Sequence, residues 1–499
     1  MNSCDFLLAH AQLDDVAVVE TGDRVFTYRQ LHHAVWALAG ELVAAKLAPG
    51  SRVGLLGANS FFWVAAYLAV LKLGHVAVPL SDRGGPQELR RNLDQIVCAA
   101  VLVDRRTPAP LMTALAGVVT ITDEAIAAPS AVLVPSMPSK PGSDAVLMLT
   151  SGTTARPKVV RVTQANIQAN TLSILAYLGL RSDDRILVVL PFYYCYGASL
   201  LHTHLRAGAR LVLCNSMAFP GKVIDLMTEQ ECTGFAGVPS SYQLLLRAST
   251  FGSRPLPALR ILQQAGGKLS SVLVEEVLAA QPNARLFVMY GQTEATARLS
   301  YLPPERLPDK LGSIGRGIPG VELRVLDEEG RPVRPGEHGE IYARGAHVCA
   351  GYLDDPAGTA TKFTPDGLRT GDLAVVDEEG FIYVVDRVAD FIKSWGHRIS
   401  SQEIEECALR MSELVSAAAV GVADAKAGEA ITLFVVPAPT VQVRPEDVLA
   451  FCRSQLAQHK WPTSVVLVEA MPLNANGKIV KARLRELAEG GVVVAAAGR

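Results

Sequence analysis

The chain has 499 residues, of which 49% are hydrophobic and 19% charged, and its formal net charge is −2. This length exceeds one ordinary hydrophobic core and predicts roughly two to four lobes, while the composition excludes a disordered chain. Because the charges form no long basic or acidic run, nothing indicates a nucleic-acid surface or a polybasic membrane patch.

The cysteines and the apolar runs exclude further classes. Eight cysteines are scattered without a CxxC pair, which argues against a zinc site or a redox pair. No run reaches the ~20 apolar residues of a membrane span, and the start MNSCDFLLAH lacks the basic region of a signal peptide. We therefore expect a cytoplasmic protein with no membrane span and no nucleic-acid partner.

The first part of the chain alternates helical and strand patterns. The segment FTYRQLHHAVWALAGELVAAKL predicts an amphipathic helix, with one face formed by Leu31, Val35, Leu38, Leu42 and Ala45. A strand (SRVGLLG), a helix ending at Gly74 (FFWVAAYLAVLKLG) and a strand (HVAVPL) follow. Further predicted strands are AAVLVD, DAVLMLT, RILVVL, ARLVLC, LRILQQAG and ARLFVMYG. This rhythm predicts an α/β fold with parallel, helix-covered sheets.

The pattern changes after about residue 310. Two strand runs separated by turn residues, in GVELRVLDEEGRPVRPGEHGEIYARG and again in DLAVVDEEGFIYVVDR, predict antiparallel hairpins. From about residue 388 the pattern becomes a compact α+β one, with helices SQEIEECALR and PEDVLAFCRSQL and strands AAAVGVAD and ITLFVVP. We therefore predict an N-terminal domain over 1–387, with a β-rich subdomain at about 310–387, and a C-terminal domain over 388–499.

The stretch LTSGTTARPKVV directly follows an apolar run. Its hydroxyl side chains and Lys158 are groups that bind phosphate; the hydroxyls belong to Thr150, Ser151, Thr153 and Thr154. A Walker A loop would have glycine where Pro157 stands and a hydroxyl where Val159 stands. The loop therefore predicts a phosphate site of another kind, and the alternative is a polar loop without a ligand.

Two acidic motifs come later in the chain. In MYGQTEAT, Tyr290 ends a predicted strand and can stack on a flat ring, while Glu294 can bind Mg²⁺. The alternative is a helix cap in which Thr293 caps and Glu294 favours the helix start. In LRTGDLA, Asp372 can accept hydrogen bonds from both hydroxyls of a ribose, and the alternative is an Asp-containing turn.

Basic residues dominate two stretches near the C-terminus. In VVDRVADFIKSWGHRISSQEIEE, Arg387, Lys393 and Arg398 surround Gly396. In PLNANGKIVK, Lys478 lies on a glycine-containing loop, although a lone lysine is normally only solvated. A separate His-x-His pair, His202 and His204, has no nearby carboxylate, so a core or surface position is favoured over a metal site.

In this order, the five stretches resemble the acyl-adenylate-forming superfamily, which comprises acyl-CoA synthetases, luciferases and adenylation domains, and most resemble an acyl-CoA ligase. The resemblance covers nearly the whole chain, from FTYRQL to NANGK. It implies a large N-terminal domain, a small barrel-like β subdomain and a small mobile C-terminal α+β domain. It also implies a two-step reaction in which a carboxylic acid and Mg·ATP give acyl-AMP, and CoA then displaces AMP.

The resemblance implies residue roles as well. It gives pyrophosphate binding to Thr150, Ser151, Gly152, Thr153, Thr154 and Lys158. It assigns contact with the adenine and acyl groups to Gly266, Gly267, Tyr290, Gly291 and Gln292, and binding of the ribose to Asp372 and Arg387. Thr293 would contact the α-phosphate, Glu294 would bind Mg²⁺, and Lys478 would bridge ATP and the carboxylate. Gly396 and Arg398 would border the pantetheine tunnel once the C-terminal domain turns about a hinge at Ala389.

The expected acyl pocket is mostly apolar, and its candidate residues are Tyr194, Tyr196, Gly197, Val238, Pro239 and Tyr242. The aspartate with which amino-acid-activating members bind an α-amine is missing from the stretch PFYYCYGAS. A fatty, aryl or polycyclic acid is therefore expected rather than an α-amino acid.

Five positions depart from the usual pattern of the superfamily. Ala155 and Val159 stand where glycine is usual or frequent, Tyr194 and Gln164 stand where histidine is common, and Ala389 replaces an Asp or Lys hinge. An added Cβ restricts a loop, so these departures bear on adenylation and on the domain movement.

Two alternatives remain beside the CoA ligase. One is a stand-alone adenylating enzyme that loads an acyl-carrier protein, because CoA and carrier protein present the same phosphopantetheine arm. The other is a relative that only thioesterifies, or only binds, a preformed acyl-adenylate.

Overall fold

The computed structural model describes residues 1–22, 24–127, 132–150, 157–387, 390–424, 426–438, 441–474, 477–490 and 495–496. Across these ranges, no helix combines the length and the apolar character that crossing a membrane requires. Short 3₁₀ turns lie at Asp123–Ile126, Thr293–Ala295, Pro304–Arg306 and Gln458–Lys460.

The helices and strands of the N-terminal part follow one another in short alternation. The first are α1 (Ser3–Leu8), β1 (Val16–Glu20), β2 (Arg24–Thr27), α2 (Tyr28–Ala44), β3 (Arg52–Leu56), α3 (Phe61–Lys72), β4 (Val76–Leu80), α4 (Pro86–Ile96), β5 (Ala100–Val103), α5 (Ala109–Thr113) and β6 (Val119–Thr122). The next are β7 (Asp144–Leu149), β8 (Val159–Thr163), α6 (Gln164–Leu178), β9 (Arg185–Val188), α7 (Cys195–Ala207), β10 (Arg210–Leu213), α8 (Pro220–Glu229), β11 (Gly234–Gly237), α9 (Pro239–Ala248), β12 (Ile261–Gln264), α10 (Ser271–Ala280), β13 (Arg285–Tyr290) and β14 (Ser300–Leu302).

Two sheets with parallel centres organise these elements, as the alternating pattern predicted. One has the strand order β6-β5-β3-β4-β7-β8, with only the β7–β8 pair antiparallel. In the other, β13, β12, β11, β9, β10 and β1 are parallel, and antiparallel strands flank them. Because the carboxyl ends of parallel strands meet at one edge, loops after β12 and β13 come together there.

Local sequence explains the two longest predicted helices. Helix α2 begins at Tyr28, two residues later than the predicted segment, because Thr27 and Gln30 form a capping box. Helix α3 is buried at every position from Phe61 to Leu71. It packs on β3 and β4 of one sheet and on β1 of the other, so no face needs to be polar.

The remaining elements complete a small β-rich unit and a C-terminal unit. The first contains β15 (Arg316–Gly317), β16 (Val321–Leu326), β17 (His338–Gly345), α11 (Pro356–Lys362), β18 (Phe363–Thr364), β19 (Gly367–Val376) and β20 (Ile382–Arg387). The second contains β21 (Ile392–Ser394), β22 (His397–Ile399), α12 (Ser401–Ala408), β23 (Leu414–Asp424), β24 (Gly428–Pro437), α13 (Pro445–Gln455), β25 (Ser464–Leu467), α14 (Lys481–Glu489) and β26 (Ala495–Ala496).

The antiparallel hairpins predicted after residue 310 are present. Strands β16 and β17 form the first, β19 and β20 the second, and β17 also pairs with β19. The five-stranded sheet they build with β18 starts at β16, since β15 pairs with β14 at the edge of the nine-stranded sheet. This junction holds the β-rich unit against the large parallel sheet.

The C-terminal unit has its own apolar core. Its six strands form one sheet, on which α12, α13 and α14 pack. Within the described residues, each cluster of buried hydrophobic side chains lies wholly before Arg387 or wholly from Ile392 onward. Separate cores are what independently packed domains have, and we propose a domain boundary near Arg387.

A buried carboxylate ties the end of β20 to the start of α12. Asp386 is 1% exposed, and its Oδ2 accepts hydrogen bonds from the Ser401 backbone N–H (2.8 Å), the Ser401 hydroxyl (2.9 Å) and the Ser400 hydroxyl (3.2 Å). The ammonium of Lys481 on α14 also donates to the Ser401 hydroxyl, at 2.6 Å. Asp386 therefore supplies the acceptor that the N-terminus of α12 needs.

Replacing Asp386 with alanine tests this connection. We expect Asp386→Ala to leave the Ser401 N–H without an acceptor. For a buried donor this lowers the free energy of unfolding by about 1–3 kcal/mol. Amide hydrogen exchange of α12 should accelerate while exchange in the parallel sheets stays unchanged. The exposed Glu328 offers a matched control, Glu328→Ala, and unchanged exchange in α12 of the Asp386 variant would contradict the assignment.

Candidate active site

A cleft with about 830 Å³ of empty space opens where the large sheet, the β-rich unit and the C-terminal unit meet. Seven residues singled out in the sequence line it: Gly266, Gly267, Tyr290, Gly291, Asp372, Arg387 and Lys478. They come from four separate stretches of the chain. The fold thus brings the motif after β12, the motif after β13, the hairpin β19–β20 and the C-terminal loop to one place.

Tyr290, Asp372 and Arg387 form one polar cluster in the cleft. Asp372 and Arg387 are directly opposite each other on β19 and β20, with Arg387 Nε 3.4 Å from Asp372 Oδ1. The Tyr290 hydroxyl donates a hydrogen bond to Asp372 Oδ2. Burial and the neighbouring Asp372 carboxylate raise the pKa of Tyr290, so the phenol stays a neutral donor.

Lys478 reaches the cleft from the C-terminal unit. Its backbone is held by Asn474, whose Oδ1 accepts from the Lys478 N–H at 3.0 Å and whose N–H donates to the Lys478 carbonyl at 2.8 Å. The ammonium nitrogen lies 5.5 Å from the ring centroid of Tyr194. Burial, and then the guanidinium of Arg387, lower the pKa of Lys478. A cation is therefore held at a partly desolvated position beside a second cation.

The backbone at Gly266, beside Lys478, requires a glycine. Its φ is +89°, and an added Cβ would lie 2.9 Å from the Tyr194 hydroxyl and from Val238 Cγ1, with Lys478 Cε at 3.7 Å. Any side chain there would be strained and would clash with Tyr194 and Val238, while Lys478 would be in ordinary van der Waals contact.

Glu294 and Lys158 lie around the ring of Tyr352. The Tyr352 hydroxyl donates to Glu294 Oε1 at 2.8 Å, and Lys158 Nζ lies 4.5 Å from the Tyr352 ring centroid. Lys158 Nζ is also 3.9 Å from Asp355 Oδ2. Lys158 and Glu294 are thus close to each other, although the sequence separates them widely.

The loop that joins β7 to β8 is described only in part. The Thr150 N–H donates to the Lys158 carbonyl at 2.9 Å, which closes the hairpin. The other residues predicted to bind pyrophosphate, Ser151, Gly152, Thr153 and Thr154, lie outside the described residues, as does Ala155.

The MYGQTEAT segment is not an ordinary helix cap. Thr293–Ala295 is a single 3₁₀ turn, preceded by Gln292, whose side chain makes no capping bond. The Gln292 side-chain nitrogen is buried without a hydrogen-bond partner, and the Thr293 hydroxyl donates to Cys195 Sγ at 3.5 Å. The segment therefore forms a single turn and does not start an α-helix.

The described residues contain no group of three or more His, Cys, Asp or Glu side chains placed to hold a metal. Glu294 still fits Mg²⁺, because this ion takes one or two carboxylates together with substrate phosphates. His202 and His204 lie in the core, as expected: burial lowers their pKa values to about 3 and about 4, and His202 Nε2 pairs with the Tyr67 hydroxyl at 2.7 Å.

Most residues of the predicted acyl pocket lie around Tyr194 and Tyr196, which we call the tyrosine row. The rings of Tyr194 and Tyr196 meet edge to face with centroids 6.3 Å apart. The hydroxyls of Tyr196 and Tyr242 both donate to the Gln263 carbonyl, at 2.9 and 2.8 Å. Tyr242 is fully buried against Phe235, so its ring belongs to the pocket's supporting core.

Three further residues predicted for the acyl pocket, Gly197, Val238 and Pro239, are closely packed. A Cβ at Gly197 would clash with the carbonyl oxygen of Pro191, while Pro239 lies beside Gly267 and Val238 beside Gly266. These contacts place the start of α9 directly against the loop after β12.

The residues expected for the thiol step lie elsewhere. Both are exposed: Gly396, with a φ of +78°, lies in the turn between β21 and β22, and Arg398 lies on β22 opposite Lys393. The predicted hinge, Ala389, lies outside the described residues. Two other departures lie in regular structure. Val159 begins β8. Gln164 is 1% exposed, and its side-chain oxygen accepts a hydrogen bond from the Ser3 N–H at 2.9 Å, so Gln164 stabilises the protein interior.

Comparison with known proteins decides the family. A family model described as AMP-binding enzyme matches residues 8–353, and one described as AMP-binding enzyme C-terminal domain matches residues 403–478. The chain belongs to the AMP-binding enzyme family. It is 33% identical over 476 residues to a feruloyl-CoA synthase of an Amycolatopsis species, covering 94% of this chain and 95% of that protein.

Two solved structures agree with this family. The ATP-bound MatB of Rhodopseudomonas palustris has a TM-score of 0.89 at 27% identity, covering 98% of this chain and 99% of that one. The o-succinylbenzoate CoA synthetase MenE of Bacillus subtilis, solved with its acyl-adenylate intermediate, has a TM-score of 0.86 at 28% identity, covering 96% and 98%. This AMP-binding enzyme is accordingly an AMP-forming acid–thiol ligase.

Three side chains at the site of this AMP-binding enzyme were not found by sequence reasoning. Tyr352 positions Glu294, and Gln402 on α12 lines the cleft with a buried side-chain oxygen that has no hydrogen-bond partner. Lys362 donates to the Thr370 carbonyl at 2.7 Å; burial lowers its pKa, while Glu294 and Asp372 act in the opposite direction. Tyr352 and Lys362 stand outside the motifs, whereas Gln402 lies in the stretch around Gly396, where only the basic residues were singled out.

The polar cluster leads to a test of nucleotide binding. Asp372→Ala removes the acceptor shared by Tyr290 and Arg387, so we expect AMP to bind about 10–100-fold more weakly, as for a lost hydrogen bond to a charged group. Titration calorimetry with AMP measures this directly. Glu378→Ala, at an exposed position of the same hairpin, is the control, and unchanged AMP affinity of the Asp372 variant would contradict the role.

Proposed function

We propose that this enzyme joins a carboxylic acid to ATP, giving acyl-AMP and pyrophosphate, and then transfers the acyl group to the thiol of CoA with release of AMP. The observation that carries this proposal is the position of Lys478 in the same cleft as Tyr290, Asp372 and Arg387. It supports a site that handles a nucleotide and an acid side by side.

The first step joins two anions, so cations must lower its barrier. The acid's carboxylate oxygen attacks the α-phosphate, and the bond to the pyrophosphate oxygen breaks. We assign Lys478 to the negative charge that develops between the two reactants. Asp372 and Arg387 would hold the ribose, Tyr290 would stack on adenine, and Thr293 would contact the α-phosphate.

The phosphates need a second source of positive charge. Lys158, 4.5 Å from the ring of Tyr352, would meet the leaving pyrophosphate together with Thr150 and the hydroxyls of the adjoining loop. Glu294 would hold Mg²⁺, which supplies Lewis acidity when bound. Tyr352, which donates to Glu294 Oε1, leaves the other carboxylate oxygen for this role.

The second step requires Lys478 to leave. Two polar contacts between the N- and C-terminal units would break: the ion pair of Lys268 with Glu406, at 3.2 Å, and the hydrogen bond from the Ser240 hydroxyl to the Gly477 carbonyl, also 3.2 Å. Exposed ion pairs contribute only about 0–1 kcal/mol, so this docking is easily reversed. Gly396 and Arg398 would then border the pantetheine arm, with Ala389 as the hinge.

The acid is proposed to be aryl, polycyclic or fatty, because the residues predicted for the acyl pocket include three tyrosines and an amine-binding aspartate is missing. The names of the similar enzymes, feruloyl-CoA synthase and o-succinylbenzoate CoA synthetase, fit this class. We propose the cytoplasm as the place of reaction, because all eight cysteines are free and thiols stay reduced there.

The two half-reactions separate the role of Lys478. Lys478→Ala should lower pyrophosphate release from ATP and acid by about 10²–10³-fold, the usual effect of losing one charge-stabilising contact. Thioester formation from supplied acyl-AMP and CoA should remain largely intact. Lys426→Ala, at an exposed position of the same unit, is the control.

Three outcomes would contradict parts of this proposal. Equal loss of both half-reactions would show that Lys478 does not act in adenylation alone. If wild-type protein forms thioester only from supplied acyl-AMP, it does not adenylate. If a phosphopantetheinylated carrier protein accepts the acyl group and CoA does not, CoA is not the acceptor.

The pKa of Lys478 sets an upper pH limit for the first step. Adenylation needs the protonated ammonium, and burial and Arg387 lower its pKa. As the pH rises, the rate should therefore begin to decline at a pH lower than the pKa of an ordinary lysine, ~10.4. Lys478→Arg should move this decline to higher pH, because a guanidinium stays protonated. Identical alkaline limbs in stopped-flow pyrophosphate release would assign the decline to another group.

A further inference from the structure

Arg298 lies at the far side of the tyrosine row and is almost completely buried, with 1% of its surface exposed. Its main chain is fixed: the carbonyl accepts from Asn170 Nδ2 at 3.1 Å, and its Cα would lie 2.9 Å from a Cβ added to Gly291. The residue therefore stands directly behind the loop that follows β13, and the fold determines where its side chain begins.

The guanidinium of Arg298 has only neutral neighbours. It lies over the ring of Tyr196 at 4.6 Å and donates to the Ser199 hydroxyl at 3.5 Å. It also lies near Tyr177, whose pKa burial raises and Arg298 lowers. Its Nε is buried without a hydrogen-bond partner. In the described part of the chain, Arg298 has no carboxylate within 4.0 Å of its nitrogens, so it forms no ion pair.

A charge in such a place is costly. Removing an ion from water without a counter-charge costs several kcal/mol, and buried arginines are normally paired. A molecule that brings an anion into the site would supply the counter-charge that Arg298 lacks.

A second unsatisfied group belongs to the same region. Gln263 is 1% exposed, and both its side-chain oxygen and nitrogen lack hydrogen-bond partners. It pairs with Phe287 across β12 and β13, so the two side chains share one face of the sheet. The ring of Phe287 lies 6.0 Å from Tyr177, the neutral neighbour of Arg298. The amide is thus on the Arg298 side of the sheet, and Tyr196 bonds its backbone carbonyl.

The tyrosine row connects this region to the reaction centre. Lys478 Nζ faces the ring of Tyr194, Tyr194 meets Tyr196 edge to face, and Arg298 faces the ring of Tyr196. One cation therefore stands at each end of the row, and burial raises the pKa values of both phenols, so both stay neutral.

We propose that the acid activated here is a dicarboxylic acid, whose reacting carboxylate lies at Lys478 and whose second carboxylate pairs with Arg298. This rests on the proposed ligase function and narrows its substrate class. The guanidinium offers a fork that matches a carboxylate, and the Gln263 amide adds a donor. An aryl or short aliphatic spacer packs along Tyr194 and Tyr196.

The test compares acids that differ only in the distal group. Pairs of straight-chain acids of four to ten carbons, and pairs of arylalkanoic acids, are each offered with and without the second carboxylate, and pyrophosphate release is measured. For the spacer that fits, wild-type enzyme should prefer the diacid by about 10²–10³-fold in kcat/KM, as for a desolvated charge pair.

Variants assign this preference to Arg298. Arg298→Leu should lose the diacid preference and accept the matched monoacid, while Arg298→Lys should keep part of it. Gln263→Leu should weaken diacid use several-fold. AMP affinity of each variant, measured by calorimetry, reports an intact nucleotide cleft. If Arg298→Leu fails to fold, the wild-type ratio and Gln263→Leu decide.

The outcomes separate this inference from the function it rests on. Adenylation of monoacids as fast as of diacids, or a diacid preference that survives Arg298→Leu, overturns the inference and leaves the ligase function standing. No pyrophosphate release with any acid overturns both.

Discussion

The site depends on how positive charge is brought to a place where two anions must meet. Arg387 belongs to the N-terminal part and Lys478 to the C-terminal unit, and both line one cleft. Each cation disfavours the other, which is one reason why the pKa of Lys478 is lowered. Asp372 offsets part of this repulsion through its contact with Arg387. A charge that is costly to hold is easily released, so a lysine on a separately packed unit suits a site that needs its charge in only one step.

Sequence patterns were sufficient for the fold class because eight strands of the two parallel sheets, β3, β4, β5, β7, β9, β10, β12 and β13, read as short buried runs. Other strands, among them β1, β6, β8 and β11, were not predicted. The residues of β11, GFAG, carry two glycines and one aromatic, and the place of β11 between β9 and β12 follows only from the neighbouring strands. The start of α2 also depended on a local contact, the Thr27–Gln30 capping box. Periodicity therefore located many of the elements, whereas the short remaining strands and the exact helix ends depend on strand pairing and capping.

The site was predictable in its parts and less so in its contacts. Tyr290 and Asp372 were each recognisable from their motifs, but their hydrogen bond joins β13 to β19, and nothing local requires it. Tyr352 and Lys362 had no motif, because their roles arise from what lies beside them: the Glu294 carboxylate and the Thr370 carbonyl. Residues that orient a ligand-binding group are set by the fold, and a single sequence does not reveal such pairs.

Arg298 illustrates the same limit in the other direction, since an arginine after a turn normally reads as a surface residue. Only its burial in the structure distinguishes Arg298 from a solvated surface arginine. Between Arg298 and Lys478 lie two phenol rings that are neutral and apolar, so a bound molecule satisfies both cations only if its own charges are separated by a matching apolar spacer. A monoacid leaves the distal guanidinium unpaired, whereas a diacid of another length misplaces its reacting carboxylate. The distance between two buried cations therefore selects the acid, and the tyrosines that keep them apart also provide the surface on which the spacer packs.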